Sequence, residues 1–542
     1  MALYLIAIGG SGARCVESLV HLASAGLMSD EKIKILFVDP DQSNGNYIRT
    51  CQQIDAYNKC RKLVWKAGEP CQWMRTEIIN LGISTVGAGN NSLANFFNYN
   101  AMSDNDPVAT DLFDVLYTKE EQQINLSEGF RGRPAIGSAF MSQLNFQALR
   151  DSRYAGNYAD YLQPWAKLLE EIDNAIDNSQ IKILLCGSVF GGTGASGLPV
   201  IARLLDDFYK GKAKSSVGGD SLTQRNNLTL GSLLILPYFG FAAGGAANIP
   251  QDGVYARAPE FALNTAAAMQ YYKSQMQNVC DVFYCIGDQN RVEVQFSAGG
   301  EGQENKAHIV ELYAALAVRD FLYLDHKPDN GQKIVFAERR IEDEIGWVDL
   351  PSEPPNINYA PIKEGFDQPD EPVVRHALRA AVRFAFAWYN TIIPEIEEYC
   401  LGNQSGGWKK VAEVWLSPFF NMPKIPQRGN LSNVTNPSVD TSDAAVITKW
   451  CENFAGWLDN LHESEAENIK LFFMDRVTSP EEMYFGRLVQ DDPRSGSEQD
   501  RDTVDSIKLK LDARETDGID PDQIEARGYV GLAKYMYIIC GL

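Results

Sequence analysis

The amino-acid sequence predicts an α/β fold: a doubly wound, mostly parallel sheet followed by a mainly helical or α+β C-terminal domain. Three observations point there. Short apolar runs alternate with stretches of helical spacing over the first 325 residues, which is the signature of strand–helix–strand units. Two of those runs end in glycine-rich turns that open directly into helical spacing. Beyond Glu371 the apolar spacing becomes mainly helical. At 542 residues the chain is too long for one core. We expect a first domain over residues 1–325, a connection rich in Pro, Asp and Glu over 326–372, and a C-terminal domain over 373–542.

The elements follow in order. Residues 3–8 are apolar and strand-like. Residues 13–25 repeat Val16, Leu19, Val20 and Ala23 at helical spacing. A second strand over 33–38 ends in Asp39-Pro40-Asp41. Residues 42–128 are less regular, with an Asn- and Gly-rich piece at 87–91. A turn from Gly129 to Gly137 leads into a helix, and a longer helix covers about 161–175. A buried strand at 181–186 reaches the second glycine turn at 191–197, with a helix over about 198–209 and a polar connection over 212–227. A strand over 228–236, a helix over about 259–277, a strand over 282–286 and a strong helix over 308–324 complete the first domain. Further on, helical spacing covers 374–399, 408–415 and 444–462, with a short strand expected at 469–474 and an apolar end at 529–542.

Composition narrows the function. A formal charge of −22 repels a nucleic-acid backbone, so direct nucleic-acid binding is not expected. No run of eighteen apolar residues suggests a membrane span. The ten cysteines are scattered without a Cys-x-x-Cys pair, and there are only five histidines. Neither a zinc site nor a disulfide framework is expected, and a reduced, cytoplasmic setting fits. The apolar start of the chain reads as a strand and not as a signal peptide.

The chemistry sits in the glycine turns. A glycine turn between a strand and a helix lets the backbone approach a phosphate and aims free N–H groups and the helix dipole at it. Gly9, Gly10, Ser11 and Gly12 form one such turn. Alone it could serve a dinucleotide, with Asp39 holding a ribose, and so an NAD(P)-dependent oxidoreductase. The second turn, Gly191, Gly192, Thr193, Gly194, Ala195, Ser196 and Gly197, has no place in that reading. It is not a Walker loop, because no Lys-Ser/Thr follows the glycines.

That second turn resembles the Gly-Gly-Thr-Gly-Ser/Thr-Gly signature of the tubulin/FtsZ superfamily, with Ala195 as a departure. Gly9 to Gly12 with Arg14 resembles the first nucleotide loop of that family, and Asp39-Pro40-Asp41 the second. Gly132-Arg133-Pro134-Ala135-Ile136-Gly137 is similar to the loop that contacts the terminal phosphate, and residues 87–91 are a second candidate for it. The strand and loop with Asp288 and Asn290 resemble the stretch near the base or ribose. Asn305, before the next helix, resembles the asparagine that pairs with guanine; an amide both donates and accepts, although Asn305 could equally be a helix N-cap. The chain looks most like the divergent bacterial tubulin-like proteins.

The resemblance implies GTP/GDP with Mg²⁺, and a GTPase that self-associates head-to-tail into filaments, with hydrolysis dependent on assembly. In the family an acidic loop from the next subunit completes the site, and that motif is absent here. Asp320, Asp325 and Asp329 are candidate acids, or else solvated carboxylates. Arg131 and Arg133 could meet a terminal phosphate, or form an exposed basic pair. The absent motif leaves open a non-polymerising GTP-binding switch or scaffold whose partner protein binds the C-terminal domain.

Overall fold

The strands form where apolar residues run unbroken. In β1 (Ala2–Ile8), β4 (Ile181–Ser188), β5 (Leu228–Ile235) and β7 (Val282–Asp288) nearly every residue is buried, as the inner strands of a sheet covered on both faces require. The computed structural model describes residues 2–28, 32–69, 71, 73–86, 92–152, 159–215, 226–241, 253–297, 299–324, 332–339, 345, 350, 373–388, 442–464 and 523–541. They fall into two compact units. The first comprises Met1–Leu19, Glu31–Gln52 and Ile78–Asp343. The second comprises Val20–Asp30, Gln53–Glu77 and Glu344–Leu542, so the chain passes between the units more than once.

With β2 (Lys32–Val38), β3 (Glu77–Ser84) and β9 (Lys333–Arg339) added, the first unit holds a seven-stranded sheet in the order β3-β2-β1-β4-β5-β7-β9. The pairs β1/β2, β1/β4, β4/β5, β5/β7 and β7/β9 all run parallel. The short strands β6 (Phe239–Phe241) and β8 (Val292–Val294) pair separately. The α/β class and the mostly parallel sheet are therefore as expected. From β1 the chain builds outward in one direction to β2 and β3. It then returns to the other side of β1 and builds the opposite way. Right-handed crossovers put the connecting helices on opposite faces of such a sheet.

The described helices include α1 (Gly9–Ser24), α2 (Gly45–Val64), α3 (Pro107–Leu116), α4 (Pro134–Met141), α5 (Gln163–Ala175), α6 (Gly192–Ser215), α7 (Phe261–Gln275) and α8 (Ile309–Leu322). Three elements correct the expectation. The stretch called irregular contains α2, β3 and several short helices. Helix α2 leaves no apolar stripe in the sequence because its buried positions, among them Asn46, Thr50, Ile54, Tyr57, Cys60 and Val64, are mixed in polarity. Strand β3 is broken by Asn80 and by Gly82 at φ +116°. Strand β9 lies in the presumed connection; it is an edge strand whose Ile334 and Phe336 are exposed, so it lacks the unbroken burial that marks inner strands. The candidate turn at 87–91, the helix at 408–415 and the strand at 469–474 lie outside the described residues.

Within the second unit, α9 (Val373–Ala387), α10 (Ser442–Ser464) and α11 (Gly528–Cys540) are described. Their aromatic positions make a core. Trp73 stacks on Tyr537 at 4.8 Å and meets Phe384 and Trp450 edge-on. Lys534, almost fully buried, pairs with Glu69.

Candidate functional site

Strands β1 and β4 lie side by side, with Ile8 opposite Gly187. The glycine turns that follow them therefore start next to each other. This is also where the strand order reverses. In doubly wound sheets the crevice beyond the carboxyl ends at such a switch point is where ligands bind. A cavity occupies that place in the first unit. Gly9, Gly10, Ser11 and Arg14 line it from the first turn, and Gly191, Gly192, Thr193 and Gly194 from the second. Asp39 and Asp41 reach it from the end of β2, Gly132 from the turn before α4, and Asn305 from the loop before α8.

Local sequence explains the closeness. Gly9 adopts φ +74°, a conformation that L side chains rarely take. A Cβ on Gly12 would lie 2.8 Å from the Cys186 carbonyl oxygen and 2.9 Å from the Ala7 carbonyl carbon. Gly12 thus lets α1 settle onto the sheet instead of touching a ligand. Helices α1 and α6 start at the two turns, and neither has an acidic residue in its first turn. Their N–H groups and positive dipole ends are left for an anion.

Other predicted residues stand elsewhere, and the reasons are specific. Ala195, Ser196 and Gly197 lie one turn into α6. The Ser196 hydroxyl donates to the Gly192 carbonyl at 2.8 Å, so it serves its own helix. The Ala195 carbonyl accepts from the Tyr272 hydroxyl at 2.7 Å, and Gly197 packs against Ile8. Arg133 precedes α4 and pairs with Glu121 at 3.4 Å. Asp288 and Asn290 are not among the lining residues. Asp288 is locked by Arg339 at 2.6 Å and by the Asn290 amide at 2.8 Å. Asp320 accepts from the Tyr284 hydroxyl at 2.5 Å and meets Lys333 at 3.3 Å. Lys182 at the start of β4 donates to the Leu322 carbonyl at 2.6 Å. That end of α8 therefore lies toward the amino ends of the strands, away from the glycine turns. Asp325 and Asp329 lie outside the described residues.

The loop after β2 is tied to residues 300–305 by contacts no sequence motif announced. The Gly300 amide donates to Asp41 Oδ2 at 2.7 Å. Asn44 Nδ2 donates to Gln303 Oε1 at 2.8 Å, and the Asn305 amide donates to Asn46 Oδ1 at 2.9 Å. Asn44, Asn46 and Gln303 all line the cavity. Asn305 is not the helix cap: His308 caps α8, its Nδ1 accepting from the Val310 amide while Glu311 returns a bond to the His308 amide. The lining also includes the aromatic residues Phe190, Phe239, Phe241, Tyr255, Phe261 and Phe296. Of the residues missed, only the turn-forming Asn44-Gly45-Asn46 carried a sequence signal.

The electrostatics are uneven. Asp39 is 6% exposed, and burial pushes its carboxyl up to about 7, with the neighbouring Asp41 adding to the rise and the Asp41 amide opposing it. Both Asp41 oxygens are engaged, by Ser43 and Gly300. Arg14 is buried against Glu311 at 2.5 Å, and Glu311 also accepts from the Tyr238 hydroxyl at 2.8 Å. Burial, and then the Arg14 charge, hold His308 well below the usual imidazole range, so it is neutral. Among the described residues, no group of three or more His, Cys, Asp or Glu could hold a metal by itself. The arrangement can seat an anion on two helix ends, offer amides to a polar edge, and present one carboxylate whose charge a cation would relieve.

No known family profile matches the chain, and no curated protein matches it. Among solved structures it is similar to CetZ from Methanosaeta thermophila strain DSM 6194, at 11% identity, covering 59% of this chain and 53% of that one, with a TM-score of 0.23. It is also similar to CetZ2 from Haloferax volcanii, solved as a GTPγS-bound protofilament, at 12% identity, covering 60% of each, with a TM-score of 0.25. The chain spans less than two thirds of the length of either.

Proposed function

We propose that the chain binds a guanine nucleotide in this cavity, in the manner of the tubulin/FtsZ superfamily. The observation that carries the reading is the meeting of two glycine turns from distant parts of the chain at one switch point. The phosphates lie on the N–H groups that open α1 and α6. The base lies toward Asn44, Asn46, Gln303 and Asn305, whose amides suit an edge that carries both donors and acceptors. A dinucleotide oxidoreductase leaves the second turn without a role, so the shared cavity counts against it.

The residues present fit a magnesium ion. Mg²⁺ takes one or two carboxylates together with phosphate oxygens and water, and Asp39 is a buried carboxylate in the cavity. The ion would neutralise phosphate charge. The chain's own residues do the rest: the turns hold the phosphates, and Arg14, fixed by Glu311, adds a cation at the wall.

Hydrolysis is proposed to depend on assembly. Asp320 lies toward the amino ends of the strands, away from the glycine turns, so it serves a cavity only if another copy supplies that cavity. Such contacts are head-to-tail and build open filaments. One observation favours the rival, a non-polymerising switch: the Asp320 carboxylate is already engaged by Tyr284 and Lys333.

The test of binding is direct. Purified protein is denatured and the released small molecules are separated by chromatography. GDP or GTP at near one per chain is expected; release of NAD(P), or of nothing after incubation with GTP, overturns the proposal.

A further inference from the structure

Helix α3 carries an apolar face turned to solvent. Residues on a helix are about 100° apart, so Val108, Leu112, Val115 and Leu116 fall within one arc of about 100°. Their exposures are 79%, 59%, 82% and 58%. Phe113, on a different side, anchors the helix: it is buried and packs against Phe97, Tyr99 and Tyr117. A single exposed leucine is ordinary, whereas four large apolar side chains together mark an interaction surface. The helix is also held firmly. Asp106 caps it by accepting from the Ala109 amide at 3.0 Å, and Pro107 opens it.

Charge says what fits the face. Along the chain it is flanked by Asp104, Asp106, Asp111, Asp114, Glu120 and Glu121, with Lys119 the one basic residue between 104 and 121, and Arg133 reaches Glu121 at 3.4 Å. Lys119 is already paired with Asp114 at 2.6 Å. A second copy of a chain with net charge −22 brings more negative charge to this face. We propose that α3 is the docking site for an amphipathic helix of another protein, with an apolar stripe edged by lysines or arginines. Apolar contact supplies the affinity, and the acidic rim selects and steers the partner. This surface lies on α3, apart from the residues that line the cavity, and the inference does not depend on what the cavity binds.

The test uses synthetic amphipathic helices of about eighteen residues, one with a leucine stripe and lysine edges, the other with glutamate in place of lysine. Binding to the full chain is followed by fluorescence anisotropy. The lysine peptide is expected to bind wild-type protein and to bind L112S/V115S at least about ten-fold more weakly. D104N/D111N should weaken it several-fold, and so should raised salt. The glutamate peptide should not bind. These side chains are exposed, so the variants are expected to fold, and circular dichroism checks this. Equal affinity for wild type and L112S/V115S overturns the proposal, because the peptide then binds by charge elsewhere. Self-association of wild type that L112S/V115S abolishes in sedimentation velocity overturns it too, because the occupant is then a second copy.

Discussion

Asp39 is the residue whose chemistry is most exposed to test. Its ordinary value is 3.8 and its folded value about 7. Between those values the native chain keeps a proton that the unfolded chain has lost. Stability of the ligand-free protein therefore falls as pH rises through that window, by about 1.4 kcal/mol per unit at most, and the cost is complete above about pH 7. Asp39→Asn removes this term. Chemical unfolding at a series of pH values should show wild type losing more stability from pH 4 to 8 than the variant, while the variant binds nucleotide more weakly in the presence of Mg²⁺. Parallel pH profiles would contradict the assignment. At this scale the glycines were legible because their physical demand is local: Gly9 needs its φ and Gly12 its missing Cβ. Ser196 shows that a hydroxyl within a glycine-rich signature can turn back to its own helix, as it does onto Gly192.

Among the elements, α1 and α8 are joined by the Arg14–Glu311 pair, buried at 3% and 0% exposure. A buried pair adds little over a well-packed apolar pair, but removing one partner strands the other charge. Glu311→Gln should cost about 3 kcal/mol in denaturant unfolding. Arg14→Met combined with Glu311→Met should recover at least half of that loss. A double variant as unstable as the single one would show that the geometry around Tyr238 and His308, not the stranded charge, sets the cost. The sequence showed α8 and the inner strands because their burial is nearly complete and their apolar runs unbroken. It hid α2 and β9. The face of α2 mixes Thr50 and Cys60 with Ile54, and β9 leaves Phe336 70% exposed at the sheet edge. The amide wall was hidden for another reason: Asn44 and Gln303 meet only because the sheet order brings distant loops together, and no local pattern records that.

For the whole molecule, nucleotide binding at the switch point and assembly into filaments are separate proposals. Turnover of GTP per chain should rise with protein concentration if a neighbour completes the site, and Asp320→Asn should lower it in the assembled state by at least about ten-fold. Turnover that stays flat with concentration favours the non-polymerising switch, and leaves the nucleotide site untouched. Among the described residues no helix is long and apolar enough to cross a membrane.

The central claim is that both turns hold one run of phosphates, and calorimetric titration of GTP against two single variants tests it most directly. Gly10→Asp and Gly192→Asp each put a carboxylate at one turn, at positions lining the same cavity. Each alone should weaken binding by at least about a hundred-fold, while circular dichroism stays that of the folded wild type. Wild-type affinity in a folded Gly192→Asp would contradict the account, because a single turn would then suffice.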